Sequence, residues 1–161
     1  MSNTLGQVES FGNCVRTVCI MAPTVADVAA PTVEADGIDV YPTRAGKRVA
    51  GVQVDDGLCF PSTPSMNATL MIKGTCTAGQ VLVGTFTLWG YHPQLGWLEI
   101  PVNGGTAVTP VALAETETDK ITFVQQFTNL GHYKKLALQL ASIGGGGASF
   151  EAWMTNAQEA Y

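Results

Sequence analysis

Histidine, cysteine and clustered carboxylates are the side chains through which a chain of this size could do covalent or acid–base chemistry. There are two histidines, His92 and His132, both next to turn-forming residues. A serine or cysteine nucleophile needs a base within hydrogen-bond reach and a turn that presents it. No GxSxG elbow occurs. The four cysteines, Cys14, Cys19, Cys59 and Cys76, sit in apolar runs such as VRTVCIM and GLCFP, with no CxxC pair and no Cys/His spacing of the zinc kind. An apolar setting raises a thiol's pKa and makes it a small core residue, so these read as structural fillers. The densest carboxylates, Asp55/Asp56 and Glu115/Glu117/Asp119, fall in turn-like sequence. A glycosidase needs two carboxylates across a cleft, and a calcium loop needs a glycine and a distal bidentate glutamate. Neither pattern is met. The residues therefore imply no catalytic set, no metal site and no cofactor, and the chain reads as a non-enzyme.

Charge narrows the partners. Net charge is -5 with eight Lys and Arg among 161 residues, which excludes a phosphate-binding surface of the nucleic-acid kind. Charged residues make up 13% of the chain, where about 25% is usual. A surface covered by uncharged Thr, Gln, Asn and Ala is poorly protected against association, as befits an assembly component. No apolar run is long enough to span a bilayer, and MSNTLGQVES has neither a basic nor an apolar leader region. Cytosolic synthesis with reduced thiols is the expectation.

The elements follow from periodicity. Pro23, Pro31 and Pro42 break helix and long ladders, so residues 1–48 are expected to form an extended N-terminal arm or edge strands. Residues 49–161 are expected to form the sandwich proper, the whole being one domain. Strand signals run at Val15–Met21, Val49–Val54, Ala68–Lys73, Val81–Tyr91, Trp97–Val102, Val108–Leu113, Ile121–Phe127, Tyr133–Ile143 and Ser149–Met154, separated by turns and by no helix-length crossover. The fold class is all-β, a jelly-roll-like antiparallel β-sandwich. The tetraglycine Gly144–Gly147 precedes ASFEAWM, a strand signal with no lysine, which makes it a hairpin connection and not a phosphate loop.

One hairpin carries the candidate site. If TFTLWGYHPQLGWLEIPV closes through His92–Gly96 with Tyr91 opposite Trp97, successive side chains alternate between faces. Leu82, Phe86, Leu88, Leu98, Ile100 and Val102 then face the core. Val81, Val83, Thr87, Trp89, Tyr91, Trp97 and Glu99 lie on the other face. The candidate interface is Trp89, Tyr91, His92, Trp97 and Glu99. Its aromatic face can be covered by the N-terminal segment, form a subunit contact, or act as a sugar-stacking platform.

LWGY, a short loop and GWLEIP resemble the tryptophan-containing hairpins of small β-sandwich virion proteins from tailed bacteriophages. The likeness extends loosely from about Ala68 through YKKLALQLASI to the closing FEAWM. It implies a capsid decoration or cement protein that binds the assembled major capsid protein lattice on the outer surface of the virion and stabilises the head. Such a protein self-associates as a dimer or trimer and contacts no nucleic acid or membrane. The other function class left open is a carbohydrate- or receptor-binding module of a phage tail or fibre.

Overall fold

In a computed structural model, residues 3–11, 15–41, 47–49, 52–54, 57–59, 67–101, 111–115 and 121–157 are described. Cys14, Asp55, Asp56, Val102, Glu117 and Asp119 lie outside them. Among the described residues the chain is all-β, with only two short 3-10 turns, at Glu34–Asp36 and Leu130–His132.

Two antiparallel five-stranded sheets face each other. The strands are β1 (Val8–Phe11), β2 (Val15–Thr24), β3 (Ile38–Asp39), β4 (Lys47–Val49), β5 (Val52–Val54) and β6 (Ala68–Thr75). They continue with β7 (Leu82–His92), β8 (Gly96–Glu99), β9 (Val111–Glu115), β10 (Ile121–Phe127), β11 (Lys135–Gly144) and β12 (Ser149–Ala157). The first sheet runs β1-β2-β12-β6-β10. The second runs β3-β11-β7-β8, with β9 pairing the earlier part of β7, while β4 and β5 form a small ribbon of their own.

Alternation explains the layers. β7 buries every second residue, Leu82, Gly84, Phe86, Leu88 and Gly90, and β6 does the same with Ala68, Leu70 and Ile72. These rows meet Phe150, Ala152 and Met154 of β12 and Leu136, Leu138 and Leu140 of β11 in one core. Each fully buried Leu, Ile or Phe contributes about 1.5–3 kcal/mol. Phe150 crosses the middle, its ring edge-on to Phe86 with centroids 5.1 Å apart. It fits because Gly74 and Gly84 flank it. A Cβ at Gly74 would stand 2.8 Å from the ring, and one at Gly84 2.9 Å.

Several sequence expectations shift. β2 has neighbours on both sides, so it is an internal strand and not an edge; Pro23 falls only at its end. Val49–Val54 is two short strands, β4 and β5. Leu98, expected in the core, is 36% exposed, because β8 is a rim strand with no described strand beyond it. The tail, where MTNAQEAY has some helix propensity, continues β12 as strand to Ala157, held by β2.

One polar strut spans the sandwich end. Arg16 and Asn156, paired across β2 and β12, are both buried. Arg16 Nε donates to the Gly57 carbonyl at 2.6 Å, and Asn156 Nδ2 to the Leu58 carbonyl at 3.4 Å. Residues 57–59 in turn donate backbone bonds from Leu58 to Asp39 and from Cys59 to Val40, beside the second sheet.

Candidate functional site

The β7–β8 hairpin has the expected register. Tyr91 pairs with Trp97, Trp89 with Glu99, and His92 with Gly96. Alternation then puts Trp89, Tyr91, Trp97 and Glu99 on the outer face of the second sheet. Tyr91 and Trp97 meet edge to face, with centroids 5.4 Å apart at 61°. Gly96 turns the chain with φ of 75°, a conformation that glycine adopts without steric cost. His92 Nδ1 accepts the Gln94 amide at 3.2 Å, which assigns the histidine to shaping the loop.

The N-terminal segment covers part of this patch. Trp97 Nε1 donates to the Val33 carbonyl at 3.1 Å, and Gly37 packs against the indole so closely that a Cβ would stand 2.6 Å from Cη2. The covering turn is fixed from both ends. The Asp36 carboxylate accepts the backbone amides of Val33 and Thr32 at 2.9 and 2.8 Å, bonds that lower its pKa. Lys134 pairs with Glu34 at 2.5 Å, and that hydrogen bond raises the lysine's pKa. Lys135 pairs with Asp39 at 3.1 Å. Of the five candidate residues, then, Trp97 is held internally. Trp89 is half-buried, with its indole N–H donating to Gln139 Oε1 at 2.9 Å, and Glu99 is exposed.

A second surface was not singled out from sequence. On the outer face of the first sheet, Cys19, Trp153, Met71 and Val124 stand in one row across β2, β12, β6 and β10, each opposite the next. Met71 is 40% exposed and Val124 56%. One neighbouring row holds Thr17, Thr155 and Thr69, with the hydroxyls of Thr17 and Thr155 3.0 Å apart. The other holds Glu151 opposite Lys73. Trp153 Nε1 donates to Glu151 Oε1 at 2.8 Å, and Asn3 Nδ2 donates to the same oxygen at 2.7 Å. Thr17, Met71, Lys73, Glu151, Trp153 and Thr155 line a groove of about 300 Å3. The signal lay in ATLMIKGT and SFEAWMTNA, where Met71 and Trp153 occupy positions that alternation assigns to solvent.

Chemistry is sparse elsewhere. Cys19 lies fully buried under this face, and burial, reinforced by the Glu151 carboxylate, pushes its thiol up to about 12. Such a thiol is inert as a nucleophile. Cys59 and Cys76 are buried as well. A cleft of about 670 Å3 lies between β2, residues 28–36 and β11. Asp36 is the titratable group on its wall, and backbone amides already occupy its carboxylate. Among the described residues no three His, Cys, Asp or Glu side chains stand close enough to hold a metal ion, and no helix is long and apolar enough to cross a membrane. Compared with known proteins, the chain matches no family model, no curated protein and no solved structure.

Proposed function

We propose that this chain is a non-enzymatic virion structural protein of the capsid-decoration kind, which packs against the assembled major capsid protein lattice of a tailed bacteriophage and stabilises the head. The observation that carries the reading is the apolar row Trp153–Met71–Val124 on an outer sheet face, where a solitary sandwich would carry polar side chains. The low charge of the chain points the same way. The hairpin's resemblance to virion proteins supplies the phage context.

The strand order also supports a jelly roll. Leaving aside the flanking β1 and counting β8 and β9, which pair successive parts of β7, as one interrupted strand, β2-β12-β6-β10 faces β3-β11-β7-β8/β9, the two interleaved four-stranded sheets of the kind used by viral capsid and lectin domains. Fold alone does not fix function, so the docking face matters more. The mechanism is mass action. A subunit that binds only the assembled lattice shifts the equilibrium toward it in proportion to occupancy. A site with Kd near 1 nM corresponds to about 12 kcal/mol. The protein is made in the host cytoplasm and ends on the outer capsid surface, with neither nucleic acid nor membrane as partner.

Cosedimentation with purified capsids tests this. The wild type is expected to bind saturably and to raise the temperature at which heads lose their DNA. Met71→Lys and Trp153→Ala are expected to lose binding while keeping their own melting temperatures. Failure of the wild type to bind any capsid, or unchanged binding by both variants, sinks the proposal.

A carbohydrate-binding module is the second reading, favoured by one observation: the Trp153 indole, bonded to the Glu151 carboxylate, lines one groove with Glu151 and Lys73. Titrating glycans against tryptophan fluorescence separates the two. Saturable quenching lost on Trp153→Ala places a sugar there, and loss on Trp97→Ala instead places it on the hairpin.

A further inference from the structure

We propose that the cleft between β2 and β11 is a docking site for a short, extended, apolar segment of a partner protein. The segment completes the open rung of the second sheet at Leu138. The cleft shares no lining residue with the Trp153–Met71 groove, so the proposal stands apart from the docking face above.

The edge of β11 is filled on either side of Leu138. Leu140 exchanges both backbone bonds with Val28, at 2.9 and 3.0 Å, and Leu136 pairs with Ile38 of β3. A regular strand leaving Val28 would place Ala30 opposite Leu138 and Thr32 opposite Leu136. The chain instead swings out over residues 29–37, where Val33 and Gly37 seat Trp97, and regains the edge at Ile38. Leu138 is left between the two rungs.

Its backbone groups point into that gap. Leu138 stands opposite Leu88 of β7, and the Leu88 carbonyl turns the other way to accept the Ile100 amide at 2.8 Å. Bonding alternates along an antiparallel ladder, so Leu138 turns its N–H and C=O away from β7, as Leu140 does. Among the described residues none bonds either group. Leu138 is 3% exposed, and backbone groups buried to that degree are almost always paired.

The lining selects the occupant. Ile20, Met21, Val28, Ala30 and Ala137 make the walls aliphatic. Among the described lining residues there is no aromatic ring to stack a sugar, and no lysine, arginine or histidine to hold a phosphate or a fatty-acid carboxylate. The charge that is there, Asp36, is negative. What fits is apolar and offers an N–H and a C=O in strand geometry: a peptide, docking by strand addition. The rungs at Leu136 and Leu140 are separated by roughly 14 Å, room for about three extended residues with small side chains.

Titrating the isotope-labelled full chain with a capped alanine–valine–alanine tripeptide, followed by amide NMR, tests this. Saturable shifts are expected at residues 28–32 and 137–138, with the Leu138 amide moving downfield and exchanging at least about tenfold more slowly. A tripeptide with an ester in place of the central amide is expected to bind about tenfold more weakly. Ala30→Trp, which narrows the cleft from a half-buried wall position, is expected to weaken binding at least about tenfold and to keep the wild-type melting temperature. No saturable shift at Leu138, equal binding of amide and ester, unchanged binding by Ala30→Trp, or equal binding of a medium-chain fatty acid overturns the proposal. Met71→Lys is expected to leave the titration unchanged, so loss of this site and loss of the capsid-docking face are told apart.

Discussion

Trp97 donates its indole N–H to the carbonyl of Val33, 64 residues earlier in the chain, and this bond ties the N-terminal segment to the tip of the central hairpin. The fit depends on Gly37, where an added Cβ would stand 2.6 Å from the indole and 2.8 Å from the Leu136 carbonyl oxygen. One of those neighbours is backbone and cannot swing aside. Gly37→Ala is therefore expected to cost about 1–3 kcal/mol. It should also shift tryptophan emission to the red as Trp97 becomes wetter. Urea denaturation followed by fluorescence checks both; unchanged stability and emission would mean that the turn is not seated on the indole.

The two lysines at the start of β11 should behave differently. Lys134 and Glu34 are 54% and 37% exposed, so their ion pair is screened by water and adds little. Lys135 and Asp39 are 16% and 12% exposed, and Lys135 also reaches the Gly37 carbonyl at 3.4 Å. Glu34→Gln is expected to leave the urea midpoint essentially unchanged. Asp39→Asn leaves a half-buried ammonium without its carboxylate and should cost about 1–2 kcal/mol. Equal effects of the two substitutions would contradict this ranking.

Much of the hairpin was legible because its signal is local. A short turn fixes register, and register fixes which side chains share a face, so Tyr91 opposite Trp97 follows from sequence alone. What covers each face depends on chain from elsewhere. Nothing near Trp97 in sequence announces Val33 and Gly37, so internal cover and open interface looked alike. Leu98 reads as core by alternation, yet alternation carries no information about where a sheet ends. The row Trp153–Met71–Val124 is assembled from three strands far apart in sequence, and a single-strand pattern hides it. β2 was harder still: its burial runs unbroken from Arg16 to Met21, with a register shift that defeats any period-two reading.

The strut at the sandwich end makes a contrast between two buried polar residues. Arg16 Nε donates a short, charge-assisted bond to the Gly57 carbonyl, whereas Asn156 makes a long one and leaves Oδ1 buried without a partner. Arg16→Met is expected to cost about 1.5–3 kcal/mol and to loosen residues 57–59. Asn156→Leu removes a weak bond together with an unsatisfied acceptor, and should stay within about 1 kcal/mol of wild type. Chemical denaturation measures the ranking, and amide hydrogen exchange at Leu58 and Cys59 should rise only in the arginine variant.

Cys19 links the outer face to alkaline stability. Burial first, and the Glu151 carboxylate second, raise its thiol from the ordinary 9.0 to about 12, against a backbone hydrogen bond from Met21 that lowers it. The folded state therefore holds a proton that the unfolded chain releases. Its contribution is intact below pH 9 and is lost as pH rises from about 9 toward 12, because only the unfolded form ionises in that window. Cys19→Ala should flatten this loss, and Glu151→Gln should soften it by removing the nearby negative charge. Denaturation midpoints taken across the alkaline range would show it, and a thiol reagent at pH 8.5 should leave native Cys19 unmodified while labelling it in urea. Rapid labelling of the native protein, or an alanine variant as steeply alkali-sensitive as the wild type, would mean that the thiol is not buried beside Trp153.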